Sequence, residues 1–239
     1  MEFIMRVGII GPMDEEVSLI TAALEDKHTE VVGGRDYIVG TYQGHEVVLV
    51  KSGIGKVCAA TAAAVLAAHF KVEILVNTGC AGGIGEGLKI GDIVLSTQMA
   101  YHDFDLKVFG YQRGQVPSYE QYFQADHALI AKAQAVANTL KQEQGFEPNI
   151  FTGVVLSGDQ FISDKQKCLD MKADFPHSQV TEMEGAAVAQ VCTDFKVPCL
   201  VIRSVSDTAQ GEAPEIFEQF VQLAADNSAK LVLALIAAL

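Results

Sequence analysis

Acidic residues stand in this sequence where an apolar segment gives way to a helix, which is an unusual place for charge. In VTEMEGAAVAQVC, Val180–Cys192, the residues Glu182 and Glu184 flank a methionine between a β-like run and a small apolar helix. A carboxylate is costly to bury unless polar groups meet it, and a well-placed carboxyl group can also move protons as a general acid or base. These two glutamates therefore need polar partners, supplied by the protein or by a ligand.

Other charged positions have the same character, and each also has an ordinary structural explanation. The run Asp14–Glu16 opens a predicted helix, where acidic residues interact favourably with the helix dipole. Asp207 follows a buried strand and would serve as a helix N-cap or turn residue. Arg203 would pair with a core carboxylate, and Glu184 would cap its own helix. Each explanation is reasonable alone, but the joint pattern favours a functional site.

Signals for cofactors and metals are weak. GCAGG, Gly79–Gly83, resembles a dinucleotide fingerprint, but the acidic residue that would bind the ribose is not evident, so a nicotinamide site is disfavoured. The aromatic residues Phe161 and Phe217 are of a type found more often in a core than beside a ligand. The five cysteines form no CxxC pair, and the six histidines show no HxxxH or HExxH spacing. We therefore expect no cofactor, no metal, and reduced thiols in a cytoplasmic protein.

Composition limits the class of partner. The 239 residues contain 17 Lys and Arg against 30 Asp and Glu, a formal charge of −13. Such a surface repels polyanions, so we expect no nucleic acid and no anionic membrane as partner. The start MEFIMRVGII lacks a basic region and a cleavage site, so no signal peptide is predicted. We also expect no apolar run long enough to span a bilayer.

The elements that must position these residues alternate between strand and helix. Predicted strands cover Arg6–Gly11, Tyr37–Tyr42, Glu46–Lys51, Ile74–Asn77, Asp92–Ala100, Phe151–Leu156, Val180–Met183 and Cys199–Val205. Predicted helices cover Asp14–Asp26, Gly55–Phe70, Asp126–Glu143, Lys165–Phe175, a segment ending at Phe195, and the chain from Pro214 onward. The alternation predicts one α/β domain over residues 1–239, a three-layer sandwich with a central mixed, mostly parallel, twisted sheet. Ligands of such folds bind beyond the carboxyl ends of strands, where GPMDEE, TGCAGG, SGDQFI, EME and RSVSD gather.

The motifs occur together in an order that resembles one family. They are GIIGPMDEEV, KSGIGKV, NTGCAGG, YHDFDLKVFGYQRGQVP, SGDQFI, EMEGAAVAQVC and RSVSD. This set is similar to that of the bacterial 5′-methylthioadenosine/S-adenosylhomocysteine nucleosidases, which belong to the nucleoside phosphorylase superfamily. The resemblance runs from Val7 to the final helix. It implies a nucleoside phosphorylase-like fold and an enzyme that hydrolyses an N-glycosidic bond to release adenine, with a place in methionine salvage and biosynthesis.

The resemblance assigns roles to the charged residues. Such hydrolysis needs a proton for the leaving purine, support for the ribosyl cation and a base for the attacking water. Asp207 is implied as the general acid at purine N7, which requires a raised pKa that partial burial would supply. Glu16 is implied to orient and deprotonate the water. Glu184 would accept hydrogen bonds from the ribose hydroxyls, and the Met183 amide would assist by donating one. Arg203 would lie near Glu184 and the water.

Binding positions also follow from the resemblance. The adenine would lie against Phe161, with the Ile162 backbone and Ser206 contacting the base. Glu182 would help to position the residues that contact the ligand in the same cleft, or it would only stabilise the fold. Positions similar to those of the alkylthio pocket are Met13, Ile54, Leu106 and Phe217. Positions similar to those contributed by a second subunit are Phe109, Tyr111 and Pro117, which implies a homodimer.

Cys80, with Ala81 and Gly82, belongs to the same implied binding segment. The family commonly has serine at the position of Cys80. Because a thiol is a weaker hydrogen-bond donor than a hydroxyl, a contact from this side chain to the catalytic water would be weakened. No nucleophilic role is expected for Cys80, since no histidine accompanies it in the motif.

Several reactions remain open at this point. Phosphorylases attack the same carbon with phosphate, but the acidic turn Asp14–Glu16 would repel a dianion, which favours hydrolysis. Methylthioadenosine and S-adenosylhomocysteine are the leading substrates, with 5′-deoxyadenosine beside them. Relatives that cleave 6-amino-6-deoxyfutalosine use the same carboxylates. A non-catalytic nucleoside-binding protein and a nicotinamide oxidoreductase are the alternatives from other classes.

Overall fold

The computed structural model describes residues 5–209 and 212–239. Its strands are β1 (Arg6–Gly11), β2 (Glu25–Val32), β3 (Arg35–Tyr42), β4 (His45–Lys51), β5 (Ile74–Gly83), β6 (Ile93–Tyr101), β7 (Phe123–Gln124), β8 (Ile150–Ser157), β9 (Ser178–Glu182) and β10 (Cys199–Asp207). Its helices are α1 (Asp14–Ala23), α2 (Lys56–Ala68), α3 (His127–Gln144), α4 (Lys165–Asp174), α5 (Gly185–Phe195) and α6 (Ala213–Ala237), with a 3₁₀ turn at Lys107–Phe109.

The ten strands of the described residues belong to one mixed sheet. Five of them, β5, β10, β6, β8 and β9, close into a ring, because β5 pairs with both β10 and β9. From β5 the sheet continues outward through β1, β4 and β3 to the edge strand β2. Parallel pairing joins β4, β1, β5 and β10, and also β6, β8 and β9, while the remaining pairings are antiparallel. The mixed central sheet expected from the sequence is confirmed.

Helices cover both faces of this sheet. On one face, the Thr78 hydroxyl of β5 lies 2.6 Å from the Ser228 hydroxyl of α6. On the other face, Val201 of β10, which is in register with Asn77, lies against Gly185 of α5. Helices α1 and α3 pack with α6, and α2 packs with α5. Because adjacent residues of a strand point to opposite faces, these contacts define three layers.

One predicted helix end was wrong. The helix expected to reach Asp26 ends at Ala23, where Leu24 is extended with φ −70° and ψ 142°. The chain then forms β2, whose sequence EDKHTEVV is largely exposed at the sheet edge. A charged edge strand has neither the apolar run nor the strict alternation by which buried strands are identified.

The last helix, α6, is long and apolar enough by length and average composition to cross a membrane, although charged residues such as Asp226 and Lys230 interrupt its apolar sequence. Half of its most apolar 18-residue window is buried inside the fold. There α6 packs against β10, β5 and α1. The apolar composition of this helix is therefore accounted for by its place in the core.

Candidate active site

A cavity of about 170 Å³ lies at the carboxyl ends of β5, β9 and β10, beside the start of α1. Most of the predicted site residues line it: Met13, Glu16, Ile54, Cys80, Ala81, Gly82, Phe161, Ile162, Glu182, Met183, Glu184, Ser206, Asp207 and Phe217. Pro12, Gln160 and Thr181 also line it and were not predicted. Each of these three is the immediate neighbour of a predicted site residue (Met13, Phe161 or Glu182), and Pro12 and Gln160 belong to the quoted motifs, so adjacency was the signal available in the sequence.

The cavity begins where one edge of β5 changes partner. Along that edge β1 pairs with Ile74–Asn77 and β9 pairs with Gly82–Gly83, so residues 78–81 lie between the two described partners. The amide of Cys80 donates instead to Glu16 Oε1 at 2.8 Å. A break in strand pairing therefore brings the first turn of α1 into hydrogen-bonding distance of β5.

Glu16 is a buried carboxylate held by backbone donors. Its Oε2 accepts the Met13 amide at 2.8 Å, while Oε1 accepts the Cys80 amide. Burial raises the pKa of Glu16 to about 7, although the Arg203 charge and the two amides act in the opposite direction. Near neutral pH this group can exist as a base or as an acid, which suits proton transfer with a water molecule.

Asp207, the last residue of β10, lines the same cavity from another strand end. Its Oδ2 accepts from the Ser206 hydroxyl at 3.0 Å, and its Oδ1 accepts the Ala209 amide at 2.7 Å. Burial raises the pKa of Asp207, and these two hydrogen bonds only partly offset that effect. The structure thus brings the two predicted proton-transfer groups, Glu16 and Asp207, to one cavity.

Arg203 lies behind the cavity and is fully buried on β10. Its Nη2 donates to Asn77 Oδ1 at 2.6 Å and contacts Glu182 Oε2 and, at 3.3 Å, Glu184 Oε2. Removing such a charge from water is costly unless carboxylates and polar atoms surround it, as they do here. The guanidinium therefore holds both glutamates of the EME motif.

Glu182 has its oxygens occupied by protein donors. Besides Arg203, its carboxylate accepts the Gly185 amide at 2.8 Å, the Glu184 amide at 3.0 Å and the Ser157 hydroxyl. It therefore supplies the acceptor for the first amide of α5. Glu184 occupies the N-cap position of this helix, but its side chain makes no capping hydrogen bond, so the alternative structural explanation for Glu184 does not hold.

Glu184 instead directs its carboxylate to other segments. Its Oε1 accepts the Gly55 amide at 2.9 Å, and its Oε2 faces Arg203. Burial raises the pKa of Glu184, with Arg203 opposing and the Glu182 charge adding to the increase. Because it lines the cavity with few competing donors, Glu184 is the glutamate of the pair that can receive hydrogen bonds from a ligand.

The first glycine of the TGCAGG motif, Gly79, lies directly against two charged side chains of the site. A Cβ atom at this position would overlap Glu16 Oε1 and Arg203 Nη1. The segment continues β5 through Gly83 and does not open a helix, as a dinucleotide fingerprint would require. The backbone is therefore glycine here so that a carboxylate and a guanidinium can approach it.

Cys80 points its thiol toward α6, where Sγ lies 3.5 Å from the Val221 carbonyl oxygen. Burial and the neighbouring Glu16 carboxylate raise the pKa of Cys80 well above its ordinary value. The thiol is therefore protonated near neutrality, and only the thiolate is an effective nucleophile.

The aromatic residues Phe161 and Phe217 form the outer wall rather than core. Their ring centroids are 5.7 Å apart with an edge-to-face angle of 78°. Phe161 is 48% exposed, and nearby Ile54 is 54% exposed. These apolar surfaces leave room for a flat, partly apolar ligand at the mouth of the cavity.

Four predicted residues are not brought to the cavity of one chain. Leu106, Phe109, Tyr111 and Pro117 belong to the segment between β6 and β7, which does not line it. Phe109 is 74% exposed. Leu106, expected in the alkylthio pocket, is therefore outside the cavity that a single chain forms.

Comparison with known proteins agrees with this geometry. The sequence model of the phosphorylase superfamily matches residues 6–237. A 5′-methylthioadenosine/S-adenosylhomocysteine nucleosidase of Actinobacillus succinogenes is 43% identical over 235 residues, 98% of this chain and 100% of that protein. The structure of such a nucleosidase from Neisseria meningitidis, in complex with methylthio-immucillin-A, has a TM-score of 0.95 at 37% identity and covers 99% of this chain and 100% of that one. Futalosine hydrolase of Helicobacter pylori has a TM-score of 0.92 at 32% identity, covering 99% of each chain. The chain belongs to the 5′-methylthioadenosine/S-adenosylhomocysteine nucleosidase family within the phosphorylase superfamily.

Proposed function

We propose that this protein hydrolyses the N-glycosidic bond of 5′-methylthioadenosine and S-adenosylhomocysteine, and also of 5′-deoxyadenosine, and releases adenine. The observation that carries the proposal is that Glu16 and Asp207, two carboxyl groups with raised pKa values, line one cavity. The names of the relatives support the same substrates. This reaction belongs to methionine salvage, and the free cysteines agree with a cytoplasmic location.

The two carboxyl groups divide the proton transfers between them. Asp207 donates a proton to N7 of the purine, for which its raised pKa is suited. Glu16 orients the attacking water and accepts its proton as the new bond forms. Glu184 accepts hydrogen bonds from the ribose hydroxyls, with the Met183 amide beside it. Arg203 keeps the Glu184 carboxylate in place. The developing ribosyl cation lies among carboxylates, which stabilise positive charge.

The charge at the start of α1 favours water over phosphate as the nucleophile. A helix N-terminus commonly binds phosphate through its free amides. Here the first turn carries Asp14, Glu15 and Glu16, and the Met13 amide is already occupied by Glu16. A phosphate dianion would meet these carboxylates at close range, whereas a neutral water would not.

The adenine and the 5′ group occupy the apolar part of the cavity. The base lies against Phe161, with the Ile162 backbone and Ser206 at its edge, and the alkylthio group extends toward Met13, Ile54 and Phe217. A partner subunit completes this end with Leu106, Phe109, Tyr111 and Pro117, so the working enzyme is a homodimer. The neighbouring apolar side chains Val108 and Phe109, in the segment between β6 and β7, are largely exposed in one chain, as expected for side chains that a partner subunit would cover.

A second substrate is supported by one neighbour. The futalosine hydrolase fold covers 99% of this chain at 32% identity. Cleavage of 6-amino-6-deoxyfutalosine would use the same carboxylates, since the difference lies at the 5′ end of the nucleoside. The identity to the methylthioadenosine/S-adenosylhomocysteine nucleosidase is higher, at 43%, which favours the thioether nucleosides.

The experiment is a direct assay of adenine release. Purified protein is incubated with methylthioadenosine, S-adenosylhomocysteine or aminodeoxyfutalosine, with and without phosphate. We expect adenine and the free ribose derivative from the first two, at rates independent of phosphate. A ribose 1-phosphate product would replace the proposal with phosphorolysis, and binding without release would indicate a nucleoside-binding protein.

A further inference from the structure

A cluster of charged side chains behind the cavity wall joins three segments of the chain. Lys56 Nζ lies 2.6 Å from Asp103 Oδ2 and 3.6 Å from Asp159 Oδ2. Asp103 Oδ2 also accepts the Asp159 amide at 2.9 Å, and Asp159 Oδ1 accepts the Lys56 amide at 2.9 Å. These residues belong to the start of α2, the segment after β6 and the segment after β8. The cluster therefore fastens the start of α2 to the two neighbouring segments that follow the paired strands β6 and β8.

The start of α2 leads directly to Glu184. Gly55, which precedes Lys56, donates its amide to Glu184 Oε1 at 2.9 Å. Gly55 has φ +99°, a conformation that glycine adopts without strain. A flexible residue keeps its amide directed at one oxygen only if its neighbours are fixed. Lys56 follows Gly55 in the chain, and its contacts with Asp103 and Asp159 fix the position of this neighbour.

The segment after β8 leads directly to the wall beside the proposed base. The Gly158 amide donates to the Glu182 carbonyl oxygen at 3.1 Å, and residues 160–162 line the cavity. Asp159 lies between this anchor and the wall. Its contacts with Lys56 and Asp103 therefore determine where the wall containing Phe161 begins.

The surroundings of Lys56 show that the lysine is not explained by helix formation. A cation at the first position of a helix opposes the helix dipole. The Lys56 and Asp103 side chains are only 24% and 15% exposed, and Nζ lies 5.5 Å from the centre of the Tyr101 ring. Although burial alone would raise it, hydrogen bonds from Lys56 and the Asp159 amide hold the pKa of Asp103 below its ordinary value. Without the lysine, the partly buried Asp103 carboxylate would lose its cationic partner, and the half-exposed Asp159 carboxylate would lose its link to it.

We propose that Lys56 is a positioning residue for the nucleosidase reaction, because its bridge between Asp103 and Asp159 holds the Gly55 amide on Glu184 and the 160–162 wall beside the base. This inference rests on the proposed function. Lys56 does not line the cavity, so it acts through Glu184 and Phe161, which contact ribose and adenine. Such contacts are present in both the ground state and the transition state, and their loss raises KM more than it lowers kcat.

The test compares three variants in the adenine-release assay. Lys56→Met should lower kcat/KM for methylthioadenosine by about ten- to a hundredfold, mainly by raising KM, because a displacement of about 1 Å can cost up to about a hundredfold. Lys56→Arg, which keeps the charge, should restore most of the loss. The matched control is Lys51→Met, which removes an exposed lysine 2.8 Å from Asp14 and should leave KM unchanged. A merely structural role would lower the active fraction, and so kcat, without changing KM.

A second measurement needs no substrate and separates this inference from the proposed function. Amide hydrogen exchange of Lys56→Met should become faster in peptides covering residues 53–56 and 158–162, while peptides from β1 and β10 keep their protection. Unchanged exchange in both segments, or a normal KM in an active Lys56→Met enzyme, would overturn the positioning role. Absence of adenine release by the unmodified protein would refute the proposed function alone, because the exchange result would still decide the role of Lys56 in holding these segments.

Discussion

At the scale of single residues, the surroundings of Glu16 differ strongly from those of a free carboxylate. Two backbone amides direct its oxygens, and burial brings its pKa to about 7. We expect Glu16→Gln to keep nucleoside affinity and to lose turnover by at least about a hundredfold, since a positioned base contributes on that scale. Single-turnover kinetics with methylthioadenosine and equilibrium binding of an uncleaved analogue measure the two quantities. A fully active variant would remove Glu16 from the mechanism.

The same residue predicts a pH dependence of stability. The pKa of Glu16 is raised from 4.5 in the unfolded chain to about 7 in the fold, so the folded protein binds the extra proton between these values. Stability from this group is therefore fully present below pH 4.5 and is lost as the pH rises toward 7. Relative to Glu16→Gln, the unmodified protein should lose a few kcal/mol of unfolding free energy over this range, since each pKa unit is about 1.4 kcal/mol. Denaturant unfolding of both proteins at several pH values measures the difference, and parallel curves would contradict it.

Asp207 differs from Glu16 in its partners, which are one hydroxyl and one amide at the end of a strand. We expect Asp207→Asn to bind methylthioadenosine but to release adenine at least about a hundredfold more slowly, because an amide cannot protonate the purine. A substrate whose leaving group needs no protonation should be cleaved by the variant at a rate much closer to normal. Equal losses for both kinds of substrate would show that Asp207 only supports the structure.

At the scale of elements, the last residues of β5 set the geometry of the site. Gly79→Ala would place a methyl group onto Glu16 Oε1 and Arg203 Nη1, and it should cost about 3 kcal/mol of stability, the upper range for overpacking, together with most of the activity. The control is Gly83→Ala on the same strand, whose new methyl group would lie 3.1 Å from Val205 Cγ1 and require a small shift. Thermal unfolding and adenine release measure both effects. Equal tolerance of the two variants would refute the account of Gly79.

The same element shows how far the sequence could lead. Apolar runs predicted the cores of β5 and β10, but both strands extend to the motif residues, to Gly83 and Asp207. Glycines and polar residues carry little strand signal, so the last pairs of β5 depend on β10 and β9 across the sheet. The strand β2 was missed for a related reason, because its partner at the sheet edge, rather than its own pattern, makes it extended. The residue types of the motifs indicated their chemistry. Their extended conformation, in contrast, depends on pairing with strands that are distant in the sequence.

The different roles of Glu182 and Glu184 likewise could not be predicted from the sequence. Their spacing predicted that both reach one region, and both do line the cavity. Which of them caps α5 depends on Ser157 and Arg203, which come from two other strands. Long-range partners of this kind have no local signature.

At the scale of the whole molecule, the proposed site is open at its 5′ end in one chain, and the segment between β6 and β7 presents apolar side chains outward. Val108 is 85% exposed and Phe109 is 74% exposed. If a second copy uses Phe109 to cover the 5′ group, activity per subunit should fall on dilution as the dimer separates. Phe109→Ala should move that fall to higher protein concentration and raise KM for methylthioadenosine, because it removes apolar surface from both the interface and the pocket. Sedimentation and adenine release over the same dilution series test the coupling of assembly and activity.

The control for this prediction is Val31→Ala, which shortens an apolar side chain 68% exposed on the edge strand β2. Its loss should change neither assembly nor KM, since β2 lies at the edge of the sheet, beyond β1, β4 and β3 from the strands that line the cavity. An active enzyme that sediments as a monomer at every concentration, with a KM unaffected by Phe109→Ala, would contradict the shared site. The cavity of one chain would then have to bind the whole nucleoside with the apolar side chains Met13, Ile54 and Phe217 alone at its 5′ end.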